Sequence, residues 1–278
     1  MKKQQNITIL GLAAILFVFG TTLGNTPLSA KELATYFGKN DPSSTKTVDH
    51  SAFATLLKTH VQKAPSGVNL VDYKALKKNQ ISLKTYLASI KNIKVRDLNP
   101  SEQFAYWANL YNALTLDVVI DAYPVKTIRD IDISPGLLSN GPWGKRLIAI
   151  EGKKLSLNDI EHNILRPIYK DPRVHYAVNC ASISCPNLLL EPFAGKTLES
   201  QLDKAAKDYI NNPRGVDTSG KRLNISKIYS WYKKDFGGKD KSLLAHLAKY
   251  ADPSLKEVLM RPNQRIDYNY DWNLNDKK

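Results

Sequence analysis

One run constrains the fold more than any other: Pro100 to Tyr123, PSEQFAYWANLYNALTLDVVIDAY. Asn99-Pro100-Ser101-Glu102 predicts its start, with asparagine as cap, proline at the first helical position and an acid three residues on. Pro124 stops it. Phe104, Trp107, Ala108, Tyr111, Thr115 and Val118 follow helical spacing, and Leu110, Leu114 and Asp117 run beside them. A helix apolar over so much of its circumference has to be buried, so the remaining elements must wrap around it. Asn109 and Asn112 lie inside the run, three apart and therefore on one face. A buried amide without partners costs about 1–3 kcal/mol. Two readings stay open for the pair: clamps on a neighbouring loop, or the lining of a site.

The other elements are shorter. Phe53, Leu56, Leu57 and Val61 predict a helix from about Asp49. Two more helices are expected over Tyr73–Asn79 and Ser82–Lys91, after a short extended piece from Gly67. Thr127–Gly144 reads as a loop, and Arg146–Ile150 with Lys153–Leu155 as a hairpin turning at Glu151-Gly152. Ser156, with Asp159 three on, opens a helix through LNDIEHNILRPI. Val174, Tyr176 and Val178 alternate as a strand would. Helices are expected at Leu198–Asn211, from Ile228, and over Ser242–Tyr250 and Pro253–Met260. Leu223 and Ile225 mark a short strand, and Arg265–Trp272 alternates as a closing one. The fold class expected is α+β: a single mainly helical domain packed around a small antiparallel sheet, with no internal repeat and no glycine-rich phosphate loop.

Three segments divide the 278 residues. Lys2 and Lys3, the apolar run Ile7–Leu23 and Leu28-Ser29-Ala30 have the order of a secretory signal peptide, with a cut expected near Ala30. The apolar run is shorter than the ~20 residues of a spanning helix, so a membrane is met only if the segment stays uncleaved. No cysteine directly follows it, which excludes a lipoprotein. Residues 31–49 read as a linker with little fixed structure, and 50–278 as the globular domain. The expected location is the periplasm or the outside of the cell. The chain is 42% hydrophobic and 24% charged, with a formal net charge of +14. Such a balance suits nucleic acid, anionic lipid or acidic wall polymers. The lysines, however, are scattered as pairs (Lys77–Lys78, Lys153–Lys154, Lys233–Lys234) without interleaved aromatics, and the leader argues against nucleic acid as partner.

Chemistry concentrates in Arg173–Pro186, RVHYAVNCASISCP. It carries both cysteines of the chain, Cys180 and Cys185, and His175, one of five histidines. A thiolate attacks acyl centres, and an imidazole can lower its pKa and carry the proton. Residues five apart on a strand face opposite sides, so His175 reaches Cys180 only if the chain bends near Asn179. Asn109, Asn112, Glu161 or Asp271 could orient the imidazole. Three readings of the cysteines stay open: a disulfide closed over Ala-Ser-Ile-Ser, a catalytic thiol, or two inert buried thiols. The spacing is C-x4-C, not the C-x2-C of a redox motif. His162 and Arg166 share a helical face. No second histidine stands three or four residues from His162, so neither a metal nor another cofactor is implied.

AYWANLYNALTLDVVI, LNDIEHNILRP, VHYAVNCASISCP, SKIYSWYKKDFGG and YDWNLN, in that order, resemble the family catalogued as domain of unknown function 547, over about residues 50–276. The resemblance implies that Asn109, Tyr111, Asn112, Glu161, His162, His175, Asn179, Cys180, Ser182, Cys185 and Pro186 are signature positions. It implies no reaction. The chain has Asn163 where the family pattern has glycine. A fainter resemblance is to the papain and transglutaminase-like superfamily, which sets a nucleophile on a buried helix and a histidine on a following strand, here 101–123 and 173–179. The helix offers only Asn109 or Asn112 at the nucleophile's place. That implies a non-catalytic relative or a nucleophile moved to the Cys180 loop. The site expected is a pocket formed by three segments. Asn109, Tyr111 and Asn112 come from the long helix, Glu161 and His162 from the next, and His175, Asn179, Cys180, Ser182 and Cys185 from the loop. The ligand expected there is a peptide or cell-envelope polymer amide. The alternative is a thiol-dependent hydrolase or acyl transferase using Cys180 or Cys185 with His175. The sequence carries no signal of oligomeric state.

Overall fold

The computed structural model describes residues 28–136, 140–263 and 265–277. The leader reading falls, except for Leu28–Ala30, outside them. The elements in chain order are α1 (Ala30–Phe37), α2 (Ser51–His60), β1 (Val61–Lys63), β2 (Asn69–Val71), α3 (Tyr73–Lys78), α4 (Gln80–Ile90), α5 (Pro100–Ala122), β3 (Ile148–Ile150) and β4 (Lys153–Leu155). A π-helical segment (Asp159–Leu165) runs into α6 (Arg166–Tyr169). Then come α7 (Val174–Ala177), α8 (Leu198–Ile210), β5 (Val216–Asp217), β6 (Leu223–Ser226), α9 (Ile228–Trp231), α10 (Asp240–Tyr250), α11 (Pro253–Leu259) and β7 (Ile266–Asn269).

The long helix is the predicted one and is buried as its pattern requires. Asn99 caps it by accepting from the Glu102 N–H. The Glu102 carboxylate does not turn back to the cap. It accepts from the N–H groups of Val48 and Gly195 and ties two distant loops to the helix start. From Glu102 to Leu116 every residue is buried. α3, α4, α8 and the π segment pack against it. Residues 31–49, expected to have little fixed structure, begin instead with α1. A Ser29–Glu32 capping box starts this helix, and Leu33 and Phe37 are buried against the π segment.

The α+β class holds, but the strands form three small sheets rather than one. β1 pairs with β2, and β3 with β4, both antiparallel. The β3–β4 turn uses Glu151 (φ 45°) and Gly152 (φ 75°), the left-handed pair a two-residue hairpin needs. In the third sheet β5 pairs antiparallel with β6, while β6 and β7 run parallel, Leu223 opposite Ile266 and Ile225 opposite Tyr268. Parallel strands bring their C-terminal ends together. The segments that leave β6 and β7 therefore emerge side by side.

Two apolar clusters result. One surrounds α5; the other lies among α8, α10, β6 and α9. α8 belongs to both, giving Leu198 and Leu202 to the first and Ala205, Ala206 and Tyr209 to the second.

Candidate functional site

The two asparagines of α5 act as clamps. Asn109 donates to the Phe193 carbonyl (2.8 Å) and accepts from the Phe193 N–H (2.9 Å). Asn112 donates to the Ala177 carbonyl (2.9 Å) and accepts from the Asn179 N–H (2.8 Å). Each amide thus satisfies one donor and one acceptor of a neighbouring chain, as a strand edge would. Neither lines the cavity that gathers the cysteines and histidines. The Asn112 clamp holds the chain where it enters the cysteine loop.

That chain is not the strand expected over 173–179. Val174–Ala177 is a helical turn, and only Val178 beyond it is extended. Asp171 and Pro172 start the turn: their carbonyls accept from Val174 and His175. Val174, His175, Tyr176 and Ala177 are all buried, so no solvent face exists for an alternating pattern to register against. The strand that the papain-like resemblance required is therefore absent.

The cysteine loop then reverses at Ala181, whose φ of 61° is unusual for a residue with a side chain. Asn179 braces the reversal, accepting from the Ala181 N–H and donating to the Pro186 carbonyl. Residues 271–275 lie antiparallel to the loop, with Ser182 bridged to Leu274. This brings Tyr270 onto the thiols. Cys180 and Cys185 are free thiols, not a disulfide, with their sulfurs 2.9 Å apart. The Cys180 Sγ also lies 3.1 Å from the Tyr270 hydroxyl and 3.3 Å from the Ser182 hydroxyl, and the Cys180 N–H donates to the Cys185 Sγ. The neighbouring Cys185 thiol lowers the Cys180 pKa, opposed by burial and helped by the Ser182 and Tyr270 hydroxyls. Burial, with Cys180 beside it, pushes Cys185 the other way. Cys180 is thus the more acidic thiol of the pair, and Cys185 the less acidic one.

His175 is held by a residue that sequence reasoning missed. Its Nε2 donates to Asp235 (2.7 Å), which also receives two bonds from Arg166 (2.6 and 3.1 Å). Burial pushes the Asp235 carboxyl up, but the bonds from His175 and Arg166 more than reverse this and hold it well below the usual carboxylate range. The imidazole stacks on Tyr232, with ring centroids 4.1 Å apart. None of the four groups expected to orient His175 does so. The two asparagines are clamps, and Glu161 makes no hydrogen bond to it. Asp271 is exposed and accepts from the Asn273 N–H. The only sequence trace of Asp235 is its place in the SKIYSWYKKDFGG block.

The π geometry over Asp159–Leu165 has a cause in Pro167. Proline has no N–H and its ring crowds the carbonyl four residues back, Asn163; a wider turn relieves both. The segment presents Glu161 and His162 to one cavity. Glu161 is buried, and its carboxylate lies 3.7 Å from His162 Nδ1. Burial pushes the His162 pKa down, partly opposed by Glu161. Asn163 bonds back to Asp159 within the segment.

The cavity, about 510 Å³, lies on the seam between the two apolar clusters. It gathers Tyr111, Glu161, His162, His175, Cys180 and Cys185. Asn109, Asn112, Asn179 and Ser182 stand behind it, holding backbone or Tyr270. Its other side is an aromatic wall that sequence reasoning also missed: Trp143, Trp231, Tyr270 and Trp272. Trp231 lies just beyond β6 and Tyr270 just beyond β7, so the parallel pairing sets their rings 4.9 Å apart; Tyr270 and Trp272 are 4.6 Å apart. Among the described residues no cluster of three His, Cys, Asp or Glu side chains could hold a metal, and no helix is long and apolar enough to cross a membrane. In comparison with known proteins, residues 95–210 match the model of a protein family of unknown function, DUF547. This is shorter than the span of the resemblance, and it leaves Asp235 and three of the four wall aromatics outside. No curated protein and no solved structure matches the chain.

Proposed function

We propose, for a chain whose residues 95–210 match the DUF547 family model, that the seam cavity is a binding site for a peptide or cell-envelope amide. The observation that carries this reading is the cavity's two-sidedness: an aromatic wall faces buried polar and nucleophilic groups in a volume of ligand size. The rings give large contact area at little entropic cost. The thiol, imidazole and carboxylate side gives direction to an amide's carbonyl and N–H. Export, inferred from the leader, puts such ligands within reach.

The test is titration of the protein with capped dipeptides and with soluble wall fragments, read by tryptophan fluorescence, since three tryptophans line the cavity. Saturable quenching that weakens about tenfold or more in Trp231→Ala is the expected result. Saturation unchanged in both Trp231→Ala and Trp272→Ala would place the ligand elsewhere.

A second reading, thiol-dependent hydrolysis or acyl transfer, is favoured by one observation: the Cys180 sulfur sits among three hydrogen-bonding groups, the Ser182 and Tyr270 hydroxyls and the Cys185 thiol. In that reading an imidazole lining the cavity takes the Cys180 thiol proton as the sulfur adds to the carbonyl carbon. The amine leaves with a proton from an imidazole lining the cavity, His162 or His175, and water or an acceptor amine releases the acyl group. Cys180, not Cys185, is the nucleophile. Oxidising the pair separates the two readings. A Cys180–Cys185 disulfide abolishes thiol chemistry and leaves binding in place.

A further inference from the structure

We infer that the cavity takes its ligand by a cationic group, an ammonium seated between the Glu161 carboxylate and the aromatic wall. The inference rests on the cavity being the binding site and adds the charge of what it binds. Its first ground is exclusion. The chain has 40 lysines and arginines and a net charge of +14. Yet among the described residues no lysine or arginine lines the cavity, and Glu161 is the one carboxylate that does.

The second ground is that Glu161 is buried without a permanent positive partner. Its side chain is 8% exposed, and among the described residues no lysine or arginine lies within salt-bridge distance of it. The nearest basic group is the His162 imidazole at 3.7 Å, which burial biases toward its neutral form. Arg166, one turn further on, is committed to Asp235 by two bonds. The Tyr232 hydroxyl bonds it but brings no charge; a buried carboxylate without a counter-charge is costly, and a ligand cation removes that cost.

The third ground is the wall. Indole and phenol faces attract cations through their quadrupoles, most strongly where water is excluded. Arg129 already lies over Trp272 (5.4 Å) and Arg166 over Tyr232 (4.8 Å), but neither guanidinium lines the cavity. A Cys180 thiolate would add a second negative charge to the same space. An anionic ligand would meet both charges; an ammonium is attracted by both and by the rings.

The experiment uses the full chain and one capped lysine–alanine dipeptide in three forms: free ε-ammonium, Nε-trimethylated and Nε-acetylated. Binding is measured by tryptophan fluorescence and calorimetry. The two charged forms are expected to bind at least about tenfold more tightly than the acetylated one, with the difference lost in Glu161→Gln. Should Glu161→Gln not fold, Trp272→Leu at the wall is expected to narrow the same difference. Equal binding of all three forms overturns the cationic inference and leaves the binding site standing. Saturable binding by none of them overturns both.

Discussion

Asp235 joins two basic side chains, the buried His175 and the half-buried Arg166, through one carboxylate. Replacing it with asparagine leaves both without their charge partner. The expected loss is about 1–3 kcal/mol in urea denaturation at neutral pH, the lower figure because the carboxylate is a quarter exposed. Because the folded carboxyl titrates below its unfolded value, its stabilisation is present above about pH 4 and lost as the pH falls further. Asp235→Asn should lack that acid limb, and an unchanged limb would contradict the assignment. Tyr270→Phe removes one donor to the Cys180 sulfur, so the alkylation midpoint of Cys180 should move to higher pH, read by mass spectrometry. His175, Cys180 and Cys185 were legible because histidine and cysteine are rare here and chemically marked. Asp235 was not: it stands 60 residues from His175 in an ordinary Lys-Lys-Asp run, and only the folded chain brings it there.

Elements were legible in proportion to their length. α5 declares itself through its start signal and its apolar circumference over 23 residues. The four-residue α7 misleads, because Val174, Tyr176 and Val178 alternate while burial on every side removes the face that would make alternation meaningful. The π segment reads as an α-helix until the consequence of Pro167 is drawn. Asn112 links these elements, bridging α5 to the end of α7. Asn112→Ala strands a buried carbonyl at Ala177 and a buried N–H at Asn179. The expected cost is about 1–3 kcal/mol, with faster hydrogen exchange at the Asn179 amide than elsewhere in the loop. Loss of stability without that local acceleration would mean that the amide does not set the loop.

Across the whole molecule, acid sensitivity arises from burial of two histidines, one near each apolar cluster. His50, against Tyr86, and His246, against Tyr176, are each pushed down to about 4 by burial. Unfolding frees them to protonate from their ordinary 6.5 downward. Their stabilisation is therefore whole above about pH 6.5 and is lost as the pH falls toward 4, by on the order of 2–3 kcal/mol each. Asp117 works against them: burial and Asp121 raise it to about 6, so stability falls as pH rises from about 4 to 6. Two histidines outweigh one carboxyl, and urea midpoints should fall on acidification from pH 7 to pH 4. His246→Asn should flatten that fall, although it also weakens the contact with Tyr176. At this scale the sequence was least informative. The class was readable, but the seam between the clusters was not. The wall along it depends on the parallel pairing of β6 and β7, which alternation in each strand does not reveal.

Cys180 lines the seam cavity and is the more acidic thiol of the pair, with Cys185 beside it. The most direct measurement is the rate of iodoacetamide alkylation of each cysteine in the reduced, folded protein from pH 5 to 10, assigned by peptide mass. Cys180 is expected to react first, with a midpoint below the ordinary thiol value of about 8.5, while Cys185 stays protected until the protein unfolds. Alkylation of Cys185 first, or of neither thiol before unfolding, would contradict this expectation.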